Sequence, residues 1–234
     1  SRRGLIMTML IDARDLGKRY ERGGRPFWAL RGACLQVSSG DFVTVLGRSG
    51  SGKSTLLNIL VGLLPPTEGT VSLMGEDISK LDDAKRSGLR NAHVGYVPQS
   101  AGLIPTLTIL DNVRLPWYLA GKRDAEPEGR AEALLEEVGL KDLGSQFPSA
   151  LSGGELRRVA IARALMCSPD VIVADEPTSN LDPASARGVV DIFRAIAQKG
   201  GAVLMVTHDT FSLDASTRLY DMAEGRLEER PKSA

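Results

Sequence analysis

Cysteine and histidine are scarce in this chain: two of each among 234 residues. Cys34 and Cys167 make neither a disulfide framework nor a metal cage, and a pair of reduced, partly buried thiols is the expectation. His93 and His208 have too few partners for a zinc site. An excess charge of one sign is also missing. Lys plus Arg number 29 and Asp plus Glu 29, a formal net charge of zero. That balance gives no electrostatic case for nucleic acid or an anionic membrane, and Arg157-Arg158 reads as a solvated helix face.

Long apolar runs are missing too. Nothing reaches the ~18 residues that a membrane helix needs. The longest candidate, "LLNILVGLLPP", is broken by Asn58, Gly62 and the prolines. The opening "SRRGLIMTMLID" imitates a signal peptide, but its apolar run stops at Asp12 with no cleavage pattern after it. Met7 or Met9 would serve as a natural start. The expectation is a soluble cytoplasmic protein that works at a membrane, if at all, through a partner. The chain has no internal repeat. It is 42% hydrophobic and 25% charged, and fits one large α/β domain or a domain with a subdomain inserted in it.

Residues 5–38 and 70–75 read as short strands with turns. "DFVTVL", Asp41 to Leu46, is a β-rich run that stops at a glycine loop, and a helix is expected from Lys53 to about Gly62. "VIVAD" (Val171 to Asp175) and "AVLMVT" (Ala202 to Thr207) are short and apolar, as strands buried on both faces of a parallel sheet are. Between them Val189, Phe193 and Ile196 repeat at helical spacing before Gly200-Gly201 stops the helix. The middle is different. It holds Pro105 and Pro116, the charged stretch "GKRDAEPEGR", and a helix with Ala131, Leu134, Leu135 and Val138 on one face. This predicts a helical subdomain, residues 100–168, inserted into a core of residues 5–99 and 169–234.

Three strand ends carry chemistry. "GRSGSGKST" fits the pattern G-x-x-x-x-G-K-[ST] between a strand and a helix. Its candidate nucleotide ligands are Gly47, Ser49, Gly50, Ser51, Gly52, Lys53, Ser54 and Thr55. Glycines let the backbone N–H groups of residues 50–53 face phosphate oxygens. Lys53 reaches between β- and γ-phosphates, the Ser54 hydroxyl suits Mg²⁺, and Thr55 lies near the α-phosphate. "VIVADEP" ends a strand in Asp175, a candidate Mg²⁺ ligand through water, and Glu176, a candidate base for an attacking water. "VTHD" brings His208 to the same sheet edge if its strand neighbours that of the P-loop. "VGYVPQS" places Gln99 after a short strand, where spacing alone gives it no function.

One further stretch, "LSGGE" (Leu151 to Glu155), repeats the logic of a phosphate nest at a helix start. P-loop, Gln99, "LSGGE", "VIVADEP", "SNLD" and "VTHD", in this order, resemble an ATP-binding-cassette ATPase over about residues 10–228. The resemblance implies a P-loop NTPase of the α/β class, with a mostly parallel core sheet, an N-terminal antiparallel β-subdomain and the inserted helical subdomain. It implies ATP and Mg²⁺, with Gln99, Asp175 and Ser54 as metal ligands and Glu176, His208 and Gln99 as catalytic residues. It further implies a head-to-tail homodimer in which Ser152, Gly153, Gly154 and Glu155 meet the partner's γ-phosphate. Ser179, Asn180, Leu181 and Asp182 would cross the interface. Tyr20 resembles the aromatic that stacks on adenine, with Phe27 and Trp28 as rivals.

Integral membrane subunits would dock near residues 99–120 and hold the ATPase at the cytoplasmic face. The subtype resembles cassettes of lipoprotein-release, macrolide-export, haem-export and cell-division systems, so haem, lipoprotein, peptide and drug stand as alternative cargoes. An ATP-gated clamp that signals without moving a solute is the competing reading. Two departures are mild: Ala174 is small for its place, and Glu155 stands where glutamine is frequent. Nucleic acid is not an expected partner.

Overall fold

The computed structural model describes residues 8–121 and 129–231. The Met7 start, the outer ends of the expected core (5–7 and 232–234) and residues 122–128 of the charged stretch lie outside the described residues.

A long hairpin of β1 (Met9–Arg22) and β2 (Arg25–Ser38) opens the fold. It joins β4 (Glu68–Leu73) and β5 (Glu76–Asp77) in an antiparallel sheet of order β2-β1-β4-β5. The sequence reading of short strands here is corrected: each arm runs 14 residues. Register shifts between Ala13 and Arg19 break the alternation that would reveal a long strand.

The second sheet holds β3 (Phe42–Gly47), β6 (Val94–Val97), β7 (Val171–Asp175), β8 (Ala202–Thr207), β9 (Arg218–Ala223) and β10 (Arg226–Arg230). Its order is β10-β9-β3-β8-β7-β6, parallel except for the β9–β10 hairpin. Strands β7 and β8 lie where the sequence puts them and are buried along their whole length. The polar-looking tail beyond Thr207 supplies β9 beside the P-loop strand and β10 at the edge.

Alternate residues divide the core between two layers. Ala202, Leu204 and Val206 pack with α1 (Lys53–Leu60) and the antiparallel sheet. Val203 and Met205 pack with α6 (Pro183–Gln198), where Phe42 and Phe193 meet edge to face at 6.3 Å. Helix α2 (Asp83–His93), unforeseen in the sequence, is capped by Asp82 and buries no residue fully, so it left no apolar stripe to read. A third cluster belongs to α3 (Ile109–Leu119), α4 (Arg130–Glu137) and α5 (Gly153–Leu165). Ile109, Val113, Ala131, Leu134, Leu135 and Val159 form its centre. No helix among the described residues is long and apolar enough to cross a membrane.

Candidate functional site

The parallel register puts the ends of β3, β8 and β7 side by side: Leu46 faces Thr207, and Val206 faces Asp175. Ligands of open α/β sheets bind at such carboxyl ends. His208 follows β8 and therefore stands between the P-loop and the acidic pair, as the sequence required of it.

The P-loop turns through Gly50 (φ 79°) and Gly52 (φ 110°), conformations that suit glycine. At Gly52 a Cβ would also stand 2.5 Å from the carbonyl oxygen of Ala29, so the β1–β2 hairpin presses on the loop. Lys53 opens α1 and is buried. Its Nζ donates to Gly47 O at 2.7 Å and Arg48 O at 3.0 Å, and lies 3.2 Å from Glu176 Oε1. The other Glu176 oxygen, Oε2, lies 2.7 Å from His208 Nδ1 and accepts the His208 backbone N–H at 3.2 Å. Glu176 itself takes φ 47°, a left-handed conformation costing on the order of 1–3 kcal/mol in a non-glycine residue. Its N–H donates to Val206 O at 2.9 Å, so the strain sits where the chain leaves the sheet.

Ser54 Oγ donates to Asp175 Oδ2 at 3.1 Å. Burial pushes the Asp175 carboxyl above its ordinary range and Glu176 adds to this, while the Ser54 hydrogen bond and the Lys53 charge pull it back. Asp175 Oδ1 is buried with no hydrogen-bond partner. An orphaned carboxylate oxygen beside a serine hydroxyl fits a hard divalent cation. Among the described residues no three His, Cys, Asp or Glu side chains cluster to hold a metal, so phosphate oxygens and water would complete its shell. Gln99 is exposed just beyond β6, whose Val97 pairs with Ala174. It shares the edge with Asp175 but makes no hydrogen bond to it.

A cleft of about 630 Å³ lies against the P-loop. Gly47 to Ser51, His208 and Thr210 line one part, and Asp221 to Glu224 with Arg230 line the rest. The sequence reading missed this second wall, because nothing in "YDMAEGR" signals a site. None of Ser152 to Glu155 lines the cleft.

Ser152 instead caps α5. Its Oγ accepts the Glu155 N–H at 3.3 Å, and Glu155 Oε2 accepts the Ser152 N–H at 2.7 Å, a reciprocal capping box. Hydrogen bonds from the Ser152 side chain and backbone hold the Glu155 carboxyl below its ordinary range. Ser152 and Gly153 are exposed, whereas Gly154 is buried against Ser185 of α6. Asp182 likewise caps its own helix, accepting the N–H groups of Ala184 at 3.0 Å and Ser185 at 3.1 Å. Asn180 is exposed at φ 59°; Ser179 is buried, with its Oγ lacking a partner. Leu181 lies between them and α5, 3.9 Å from where a Gly153 Cβ would stand.

Tyr20 and Phe27 are direct partners across β1 and β2, and both are exposed. Trp28 pairs instead with Arg19, and its ring covers Gly17. Cys34 is exposed, not partly buried as expected, while Cys167 is half-buried. Arg157 is no solvated residue either: it is buried, and it donates to Pro98 O at 2.7 Å. Only Arg158 keeps partial exposure. Thr178, also buried, donates a short hydrogen bond to Asp209 Oδ2, tying the loop after β7 to the loop after β8. His93 pairs with Asp170 at 2.7 Å, away from this edge.

The ABC transporter family profile matches residues 30–179. An uncharacterised ABC transporter ATP-binding protein of Thermotoga maritima is 42% identical over 95% of both chains. The lipoprotein-releasing system ATP-binding protein LolD of Aquifex aeolicus is 46% identical over 94% of this chain and 97% of its own. Among solved structures, the ATP-binding cassette MJ0796, dimeric in a post-hydrolysis state with ADP and Pi, is 34% identical. It superposes with a TM-score of 0.88 over 96% of this chain and 100% of that one. The chain belongs to the ABC transporter family, as an ATP-binding cassette that hydrolyses ATP to drive transport.

Proposed function

We propose that two copies of this chain pack head to tail around two MgATP and drive export or extraction of a substrate through membrane subunits. The observation that carries this reading is the separation of two phosphate-binding devices. Lys53 and Ser54 bond to Glu176 and Asp175 at the sheet edge, while Ser152 and Gly153 stand exposed at the start of α5, where Ser152 bonds to Glu155 of its own helix. A second copy supplies the signature that each P-loop site lacks. The cassette MJ0796 is described as dimeric, which supports a two-copy reading.

In this reading Lys53 leaves Glu176 for the β- and γ-phosphates, and the backbone N–H groups of residues 50–53 hold the phosphate oxygens. Ser54, Asp175 and Gln99 would hold Mg²⁺, which would supply neutralisation of the charge on those oxygens. Glu176, freed of the lysine, orients the attacking water and takes its proton. His208 keeps Glu176 in place through Nδ1. Ser152 and Gly153 close on the partner's γ-phosphate, and Ser179 to Asp182 cross the interface. Tyr20 stacks on adenine; its exposure, shared with Phe27, supports this, and Trp28 is spoken for by Gly17.

The helical block, residues 100–168, moves as a unit against the core, and its own apolar cluster supports that division. Membrane subunits dock near residues 99–120, where Ile104, Tyr118 and Leu119 are 38%, 57% and 76% exposed. That places the ATPase at the cytoplasmic face of the membrane. Lipoprotein is the favoured cargo, since several relatives above 40% identity are lipoprotein-releasing ATP-binding proteins. Glu176→Gln should accumulate as an ATP-bound dimer in saturating MgATP, measured by light scattering. A variant that stays monomeric there, even beside its membrane partner, refutes the shared site.

A further inference from the structure

Two arginines of α5 reach across to the loop that carries Gln99. Arg157 Nη1 donates to Pro98 O at 2.7 Å. Arg163 Nη1 donates to Gly102 O at 2.7 Å, and its Nη2 to Ala101 O at 2.8 Å. Three charge-assisted hydrogen bonds therefore grip residues 98–102, a segment with no helix or strand of its own.

Arg157 is an expensive residue to keep there. It is 7% exposed, its Nε is buried without a partner, and it forms no ion pair among the described residues. Burial lowers the pKa of both guanidinium groups. An apolar side chain would pack α5 on β6 without that desolvation. What an apolar side chain could not do is hold a backbone carbonyl one residue from Gln99. Arg157 also lies just over one helical turn from Ser152, the cap of the same helix.

We propose that Arg157 and Arg163 are positioning residues that fasten the Gln99 loop to α5. Gln99 at one ATP site and Ser152 with Gly153 at the partner's site then shift as one body. Departure of α5 from the partner's phosphate withdraws Gln99 from its own edge, which synchronises the two sites of the dimer. The inference rests on the roles proposed above for Gln99, Ser152 and Gly153.

The test is hydrogen exchange and steady-state ATPase on the full chain, with and without a non-hydrolysable MgATP analogue. Protection of Gly50 to Lys53 reports nucleotide binding by itself; its absence in the unmodified chain refutes the ATP site and this proposal with it. With that protection present, the double variant Arg157→Met/Arg163→Met, which removes every donor, should leave α5 protected from exchange. Its kcat should fall about tenfold, with the KM for ATP changed less than about twofold. Arg157→Lys, which keeps a donor for Pro98 O, should recover kcat to within about threefold. A kcat within about twofold of normal in the double variant overturns the proposal. So does a loss expressed only in KM. If α5 loses protection, or Arg157→Lys falls as far as Arg157→Met, the arginines merely pack the helix and the proposal fails.

Discussion

Gly154 sits against Ser185: a Cβ on Gly154 would stand 2.8 Å from Ser185 Oγ and 3.0 Å from Ser185 Cβ. The glycine is therefore needed inside its own chain, where the starts of α5 and α6 meet. Its neighbour Gly153 is exposed, with only Leu181 Cδ2 nearby at 3.9 Å. The two glycines of the signature separate into one that packs and one that can face a partner.

That separation yields the first prediction. Gly154→Ala should lower the thermal midpoint of the isolated chain, by overpacking that costs on the order of 1–3 kcal/mol. Gly153→Asp should leave that midpoint nearly unchanged and leave ATP binding at Lys53 intact. It should abolish dimer closure and hydrolysis, because a carboxylate would meet the partner's γ-phosphate. Calorimetric ATP binding beside light scattering checks both; failure to bind ATP in Gly153→Asp would place the signature in its own chain's site.

Three carboxylates predict opposite responses to pH. Burial raises the Asp175 pKa, so its ionised form costs the free chain stability at neutral pH. The relative stability is present below the ordinary aspartate range and is lost as pH rises through the raised folded pKa. Asp175→Asn should thus raise the Mg²⁺-free melting midpoint at pH 7, by a gain that vanishes toward pH 3. Glu155 and Asp182 run the other way. Ser152 holds the first low, and Ser185 with Ala184 the second. Their contributions are present above the ordinary carboxylate range and fade as pH falls through their lowered folded pKa values. Protection factors of the amides at residues 153–156 and 183–186, taken against the intrinsic exchange rate at each pH, should fall first on acidification; a uniform fall along both helices would contradict this.

The parts that sequence makes legible are those where one residue type answers one demand. Val171 to Asp175 and Ala202 to Thr207 must be apolar up to their last residue, since the sheet is covered on both faces, and they read as strands to the residue. Lys53, Asp175, Glu176 and His208 sit at ends of such strands, so finding the strands brings them together. Less legible are elements whose partners are far along the chain. Strand β9 alternates buried Tyr220 and Met222 with the less buried Leu219, Asp221 and Ala223, and closes on β3 more than 170 positions earlier. Arg157 looks like any surface arginine of a helix until β6 delivers Pro98 to it. Gly154 and Asp182 fit the partner-facing pattern and prove to serve their own helices as well.

Tyr20 and Phe27, paired and exposed, make adenine stacking decidable by substitution. An aromatic contact is worth about 0.5–1.5 kcal/mol, so Tyr20→Ala should weaken ATP binding roughly two- to tenfold and leave kcat at saturation near normal. Tyr20→Phe should bind as tightly as the unmodified chain. Phe27→Ala should change little. Equal loss on removing either ring, measured by fluorescence titration, would make the pair a two-ring platform.

The bond from Thr178 to Asp209 joins two loops that act together. On one side it holds the turn leading to Ser179–Asp182; on the other it holds the residue after His208. Asp209 is itself fixed by its N–H on Thr207 Oγ1 at 3.2 Å and by accepting the Phe211 N–H at 3.1 Å. Breaking the bond leaves ATP contacts untouched but frees His208 to drift from Glu176, whose left-handed backbone has no strain to spare. Asp209→Ala should therefore cut kcat about tenfold with little change in KM, since misplacement near the reacting groups costs rate before affinity. Asp209→Asn keeps an acceptor for Thr178 and should retain most of the rate. Thr178→Val, which removes the donor from the other side, should match Asp209→Ala, and combining the two should cost no more than either alone. Losses that multiply instead would show that Thr178 and Asp209 act separately.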